Sequence, residues 1–417
     1  MEKKNELQLP LLAVHGFKGI LGLFTSTFLT SFIVSLNPES IMGMGVLNIG
    51  LYHLFHNIIF IALYYILTYF VDKSNRVSLL RIGILVNCIL LISLVFYGET
   101  IAKWIILAGT IYGISEAFYY ASYNVIRNEM NRKSNISRYN IISSVTANAI
   151  NIIVPTILGF CIDISSYSTI SIYVIIISLV QFFLTYAIKA VKPKGASFEI
   201  KEYFKYLKTE KFDFDKIKYI YLNAILSGCK STFPTLIVIL TIFTFKTNLS
   251  LGILTSIFSI FTTTLLIIYK KYENHPKLNT LLLFMSISIS TFIMGIVFVL
   301  WTSYATLILL NLMLNITIQI SEYSSNCSRD AIIKLLDKYD YIAEHQFMYE
   351  LFLTLSRILA YAIFIIVGLF NNMIIFSIML VVYVGTTPFK FLCMYKQREA
   401  KLALETLQAQ KEEVTKN

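Results

Sequence analysis

From Leu11 onward the chain alternates between apolar runs of roughly 20 residues and short polar connections, and it ends in a charged tail. Runs of that length cross ~30 Å of hydrocarbon as α-helix. Helices satisfy their own backbone hydrogen bonds in lipid. The alternating pattern of a membrane β-barrel is absent. The pattern predicts twelve spans, at roughly 11–35, 46–70, 79–97, 101–125, 141–162, 168–189, 219–243, 249–269, 279–300, 303–326, 346–370 and 372–394. The expected fold class is all-α integral membrane, and the even count puts both chain ends on one side.

Charge placement supports this count. Of the 417 residues, 56% are hydrophobic and 14% charged, against about 25% charged in soluble domains. One set of connections is basic: Lys73, Arg76 and Arg81; Arg127, Arg132, Lys133 and Arg138; Lys270, Lys271 and Lys277; Arg329, Lys334 and Lys338. The opposite set holds Lys103 and Lys246. A single missed span would scramble this separation. The positive-inside rule then places both termini in the cytoplasm of a multi-pass cell-membrane protein. The net charge of +11 therefore reflects topology, and no nucleic-acid partner is expected. Met1–Pro10 carries no cleavage pattern of a removable signal.

The chain divides into four regions: a six-span bundle at 1–190, a linker at 191–218, a second six-span bundle at 219–395 and a cytoplasmic tail at 396–417. In the linker, Ser197 is placed to cap a helix with Glu199 in its first turn. Ile200, Tyr203, Phe204 and Leu207 share one face of it, which suits either an amphipathic helix on the membrane surface or a solvated linker. The tail, with Leu402, Leu404 and Leu407, is expected to be a short frayed helix.

The two bundles share a sequence element. Gly113–Arg138 and Ile318–Asp330 each contain Ile-Ser-Glu and Ser-x-Asn-x-x-Arg, the latter as Ser122, Asn124, Arg127 and Ser324, Asn326, Arg329. Charge inside lipid costs at least ~2.5–3.5 kcal/mol, so such residues face protein or water. Lys18 falls in span one, Glu116 in span four, Lys230 in span seven, Glu322 in span ten, and Glu350 and Arg357 in span eleven; spans three, six, nine and twelve show none in their interiors. Lys18 is expected to pair with Glu116, while Lys230, Glu322, Glu350 and Arg357 form a second network. Two roles suit these charges: lining a solute or proton path, or locking helices together as structural ion pairs. Tyr119, Tyr120 and Tyr123 share the helix face of Glu116 and form either an aromatic wall or plain packing. A carboxylate with aromatics suits a cationic or amphiphilic solute.

Between spans two and three stand Asp72, Lys73 and Arg76, and Pro155 and Gly159 lie in span five. With the span count and topology, these residues make the whole chain resemble the major facilitator superfamily. That family's signature between spans two and three is Asp-(Arg/Lys)-x-Gly-Arg-(Arg/Lys). Asn75 and Val77 depart from it here, and Pro155 and Gly159 retain only part of an antiporter motif. The resemblance implies two pseudo-symmetric six-helix bundles working by alternating access, with spans one, four, seven and ten lining a central cavity. It makes Asp72 and Arg76 gating residues. It makes Lys18, Glu116, Tyr120, Lys230, Glu322, Glu350 and Arg357 the substrate and proton path, with Glu116 and Glu322 as proton carriers.

The expected function is secondary transport of a small or amphiphilic solute, by proton-coupled export. A lipid or amphiphile translocase and a non-transporting membrane sensor are the alternatives. No nucleotide-binding or catalytic cluster of enzymic spacing appears, so no enzyme activity and no cofactor are expected. His53 and His56 lie on one helix face, with polar packing as the default over metal binding. The five cysteines show no paired or metal-like spacing. Expected partners are membrane lipids and the solute, with the chain acting as a monomer. Pro155 and Pro234 are expected to interrupt spans five and seven.

Overall fold

A computed structural model describes residues 9–36, 40–71, 75–133, 136–188, 198–272, 279–336 and 341–416. Eleven helices among them are long and apolar enough to cross a membrane: Leu9–Ser35, Gly43–Val71, Arg76–Lys103, Ile142–Ile164, Tyr167–Ala187, Lys211–Phe245, Asn248–Tyr272, Thr280–Leu300, Tyr304–Leu335, Ala343–Phe370 and Met373–Gln410. Ile105–Lys133 is the remaining span. Glu116, Asn124 and Arg127 dilute its hydropathy. In chain order these are spans one to twelve, and Ile105–Lys133 is span four. The protein is thus an all-α, multi-pass membrane protein.

Short polar residues start several spans by capping otherwise unpaired backbone N–H groups. Asn75 accepts from Val77 N at 3.1 Å, Ser166 from Thr169 N at 3.1 Å, and Asn279 from Leu282 N at 3.1 Å. Ser303 and Thr306 form a reciprocal capping box at the start of span ten. Spans seven and eleven end on left-handed residues, Lys246 (φ 59°) and Asn371 (φ 46°), which turn the chain directly into spans eight and twelve.

Prolines act unequally. Span seven breaks into Lys211–Lys230 and Phe233–Phe245, because Pro234 has no N–H to give and crowds the Lys230 carbonyl. Span twelve breaks likewise at Thr386, just before Pro388. Span five, in contrast to expectation, runs unbroken through Pro155 from Ile136 to Ile164. Span one contains a π-helical stretch, Leu23–Phe28. Two of its carbonyls take tyrosine hydroxyls: Phe24 O from Tyr167 and Thr25 O from Tyr52, each at 3.2 Å.

The chain forms two compact units. Unit one is Met1–Ser197, Pro234–Ile260 and Ile358–Phe376; unit two is Phe198–Phe233, Phe261–Arg357 and Ser377–Asn417. By the alternation of the spans, the end of each helix that carries a basic connection is its linker-side end, and the opposite one is its far-side end. Unit one therefore holds the first six spans together with the far-side parts of spans seven, eight and eleven. Its linker-side core packs Leu11, Val14, Val77, Leu80, Ile84, Tyr119 and Tyr123. On the far side, the added segments approach through glycines. A Cβ at Gly252 of span eight falls 2.3 Å from the Pro155 carbonyl, and one at Gly159 falls 2.4 Å from the Asn248 carbonyl. Gly50 and Gly368 bring spans two and eleven together in the same way.

Unit two packs Tyr269, Phe284, Ile316, Ile320, Phe391 and Met394 in one core. A second core holds Ile220, Ile332, Ala400 and Leu404. The expected frayed tail is instead the continuation of the helix Thr387–Lys416. Gln397 is fully buried there; its Oε1 accepts from Asn223 Nδ2 at 3.0 Å and its Nε2 donates to Ser325 O at 2.9 Å. Of the tail leucines, Leu404 is buried, while Leu402 and Leu407 are exposed.

The linker helix, Ile200–Thr209, is docked on unit two. Tyr203 and Leu207 are buried and Phe204 is exposed, so half of the expected apolar face meets protein. Tyr203 Oη lies 2.6 Å from Tyr221 Oη and 3.1 Å from His345 Nδ1, and Glu199 N donates to Glu344 Oε1 at 2.9 Å. Ser197, the expected cap, lies outside the described residues.

Candidate functional site

In unit one, Lys18 Nζ of span one meets Glu116 Oε1 of span four at 2.6 Å, with the two side chains 6% and 14% exposed. His56 Nε2 of span two is 3.9 Å from Glu116 Oε2. Span four can come this close because it presents glycines to span two. A Cβ at Gly113 would stand 2.5 Å from the His56 carbonyl, and one at Gly109 2.3 Å from the Tyr52 carbonyl. Glu116, one turn beyond Gly113, is thereby set beside His56.

The Lys18 ammonium also lies over the rings of Tyr112 and Tyr119, 5.5 and 5.3 Å from their centroids. Such contacts stabilise a desolvated cation. His15 stacks on Tyr123 at 4.2 Å, and its Nδ1 is 3.4 Å from Tyr119 Oη. The tyrosine series is therefore organised around His15, a residue the sequence pattern does not single out. Tyr119 and Tyr123 are buried, and half-buried Tyr120 meets Tyr119 edge-on at 5.2 Å. The result is a carboxylate held by one ammonium inside an aromatic shell. Proton uptake by Glu116 or displacement of Lys18 each unbalances the pair, because a buried charge that loses its partner is strongly destabilised.

His53 and His56 share a face but not an environment. The His53 ring stacks on Tyr361 at 4.5 Å, and its Nε2 is 3.5 Å from Thr30 Oγ1. Tyr361 Oη in turn lies 3.0 Å from Thr235 Oγ1. His53 thus joins span two to the far-side parts of spans seven and eleven.

In unit two, Lys230 ends the first piece of span seven. Its Nζ donates to Ser321 Oγ at 3.3 Å and to Thr317 O at 3.5 Å, both on span ten, and lies 5.1 Å from the Phe391 ring centroid. Arg357 Nε donates to Ser231 Oγ at 3.1 Å. Glu322 is exposed on span ten, within electrostatic reach of Lys390, Lys230 and Arg357.

Lys390 is a member of this cluster that the sequence pattern does not reveal. It stands near the expected end of span twelve, where a lysine normally extends into solvent. In the structure it is 1% exposed and its Nζ bonds Ser227 Oγ. The outer spans are therefore not all free of interior charge. The break before Pro388 sets Lys390 in the first turn of a new helix that faces span seven.

Glu350 falls elsewhere than in the expected network. It accepts from Gln346 Nε2 at 3.0 Å and lies in electrostatic reach of Arg329. Arg329 is paired with Asp330 at 3.3 Å and sits 4.5 Å from the Tyr349 ring centroid. Arg76 is buried at the start of span three, and its Nε donates to Val71 O at 3.1 Å. Asp72 lies outside the described residues.

Residues 19–336 match the sequence model of the family described as Major Facilitator Superfamily, well over half of the chain. The chain belongs to the major facilitator superfamily. As a superfamily member it is similar over nearly its whole length to several solved structures. One is a bacterial homologue of the iron transporter ferroportin in an inward-facing state (12% identity, 94% of this chain and 98% of that chain, TM-score 0.64). Another is a D-xylose-proton symporter (12% identity, 93% and 97%, TM-score 0.65). A third is the nucleoside transporter NupG (14% identity, 93% and 98%, TM-score 0.62). These likenesses show the fold. A curated protein of Bacillus subtilis (strain 168), the uncharacterized YqgE, is 28% identical over 91 residues, and that match spans 21% of YqgE and 22% of this chain. Membership of this family indicates a transporter.

Proposed function

We propose that this major facilitator superfamily protein is a proton-coupled secondary transporter of the cell membrane. It moves a small or amphiphilic solute by alternating access, in the direction of export, as a monomer with both termini cytoplasmic. The observation that carries the reading is the Lys18–Glu116 pair, a 2.6 Å contact in the interior of the first six spans. A fold that needed only rigidity would gain as much from apolar residues of similar size. A pair that must open and close keeps its charges.

Protonation of Glu116 releases Lys18. A solute group that takes the place of Lys18 at Glu116 competes with the proton there. Competition of this kind makes proton and solute exchange, and an inward proton gradient then drives the solute out. The glycine-mediated contacts within unit one supply a far-side seal that must part for access to alternate. The basic residues on the linker side orient that side to the cytoplasm.

The test uses purified protein in proteoliposomes with a trapped pH-sensitive dye and an imposed proton gradient. The probes are a nucleoside, D-xylose, succinate and the lipophilic cation tetraphenylphosphonium. Solute-dependent proton flux in the native protein, lost in Glu116→Gln, is the expected result. Full pH dependence retained in Glu116→Gln, or no flux of any probe, overturns the reading.

A further inference from the structure

Three cations of unit two converge on one stretch of span seven. Ser227 receives Lys390 from span twelve, and Ser231 receives Arg357 from span eleven at 3.1 Å. Residues four apart on a helix are about 5–6 Å apart at Cβ, so an ammonium and a guanidinium are held roughly one turn apart. Lys230 stands between them in sequence, anchored to Ser321 Oγ and Thr317 O of span ten. Lys230 and Lys390 are 4% and 1% exposed. Each of the three bonds to hydroxyl or carbonyl oxygen, and none has a carboxylate of the described residues within 4.0 Å.

Among the described residues, the one acid in electrostatic reach of all three is Glu322, whose exposed side chain is bonded to none of them. The Cys393 thiol is the remaining titratable group near Lys390. Two buried ammonium groups and one half-buried guanidinium thus face one exposed carboxylate. Two other buried cations stand beside carboxylates: Lys18 has Glu116 and Arg329 has Asp330. Buried charges without a partner are costly, and two serines hold these donors in a fixed spacing. That arrangement matches a group with several acceptor oxygens.

We propose that Lys390, Lys230 and Arg357 form the seat for an acidic group, a carboxylate or a phosphate, on the transported solute. Glu322 is the counter-charge that keeps the empty seat from being excessively positive and weakens the hold enough for release. The word "transported" rests on the functional reading above; anion binding at this cluster does not.

The experiment follows thermal unfolding of the purified full-length protein in neutral detergent at constant ionic strength. The probes are inorganic phosphate, succinate and glycerol 3-phosphate, with chloride and tetraphenylphosphonium as controls. At least one acidic probe is expected to raise Tm saturably. Losing a hydrogen bond to a charged group costs about 1.5–3 kcal/mol, so Lys390→Gln and Arg357→Gln should weaken that probe by about tenfold or more. Glu322→Gln, an exposed position that does not threaten folding, should tighten it. Exposed Lys103→Gln should leave it unchanged. No saturable shift with any acidic probe, or the same change in Glu322→Gln as in Lys390→Gln, overturns the proposal. A shift abolished by added phosphatidylglycerol, with no free acid bound in its presence, assigns the seat to a lipid headgroup and also overturns it. Anion binding with the expected mutant pattern but no flux in proteoliposomes sinks the transporter reading and leaves the seat. Flux that no acidic probe affects does the reverse.

Discussion

Asp163, on span five, and Asn248, at the start of span eight, are latched across the far side of unit one. The Asp163 carboxylate accepts from Asn248 N at 3.1 Å, Asn248 Nδ2 at 2.8 Å and Leu249 N at 2.8 Å. Asn248 Oδ1 in turn accepts from Ser31 Oγ of span one at 2.6 Å. The carboxylate satisfies N–H groups that span eight leaves unpaired at its N-terminus, and its charge complements the positive end of the helix dipole.

Asp163→Ala removes this cap without touching either charge cluster. Losing a helix cap costs about 0.5–2 kcal/mol, so the latched arrangement should lose roughly fivefold in population. Cys161, half-buried on the same helix, reports it directly. With the other cysteines replaced, Cys161 should react faster with a membrane-impermeant maleimide in Asp163→Ala than in the parent. An unchanged rate would show that the contact bears no load.

The glycines beneath this latch predict the same phenotype by a steric route. On an open helix surface Gly→Ala is favourable by about 1 kcal/mol. At Gly252 the sign reverses, because the new Cβ stands 2.3 Å from the Pro155 carbonyl, an atom with no freedom to move aside. Gly252→Ala should therefore lower Tm and raise Cys161 reactivity. Gly22→Ala, where nothing lies within 4 Å, should raise Tm slightly and leave Cys161 reactivity unchanged.

The physics of each contact decides how legible it is in the sequence. Span number and the Lys18–Glu116 pairing are readable because charge in hydrocarbon is expensive and few partners exist. Lys390 escapes because its depth depends on where span twelve breaks, and that is set by Pro388 and by packing on span seven. Asp163 resembles an ordinary loop acid until span eight, 85 residues later in sequence, is brought onto it. Gly252 leaves no pattern in an apolar run, and Gly159 shows only as the remnant of a motif, since a close backbone approach is a property of two helices together. The tail misleads because its core residues, Gln397, Ala400 and Leu404, are mixed with charges that point away.

The ion pair of unit one predicts a strongly non-additive cycle. Lys18→Met leaves Glu116 buried without its ammonium, and Glu116→Met leaves the converse; breaking a buried pair costs about 3–5 kcal/mol. The double variant removes both charges and should recover most of that loss, with Tm near or above the parent. Proton-driven flux should be absent in all three. Stability that falls additively would mean the 2.6 Å contact carries no coupling.

Truncation after Tyr395 tests whether the terminal helix belongs to the core of unit two. The cut removes Gln397, whose amide bridges Asn223 on span seven and Ser325 on span ten. It also removes Ala400 and Leu404 from the cluster with Ile220 and Ile332. Burying a leucine contributes about 1.5–3 kcal/mol. Leaving the Asn223 amide without its partner costs about 1–3 kcal/mol more. A drop of several degrees in Tm is expected, together with faster hydrogen exchange in Lys211–Lys230, the helix that the tail covers. Gln397→Leu separates the two contributions, because it keeps the packing and removes the bonds. It should reproduce part of the loss, and a variant as stable as the parent would assign the tail's whole effect to its apolar face.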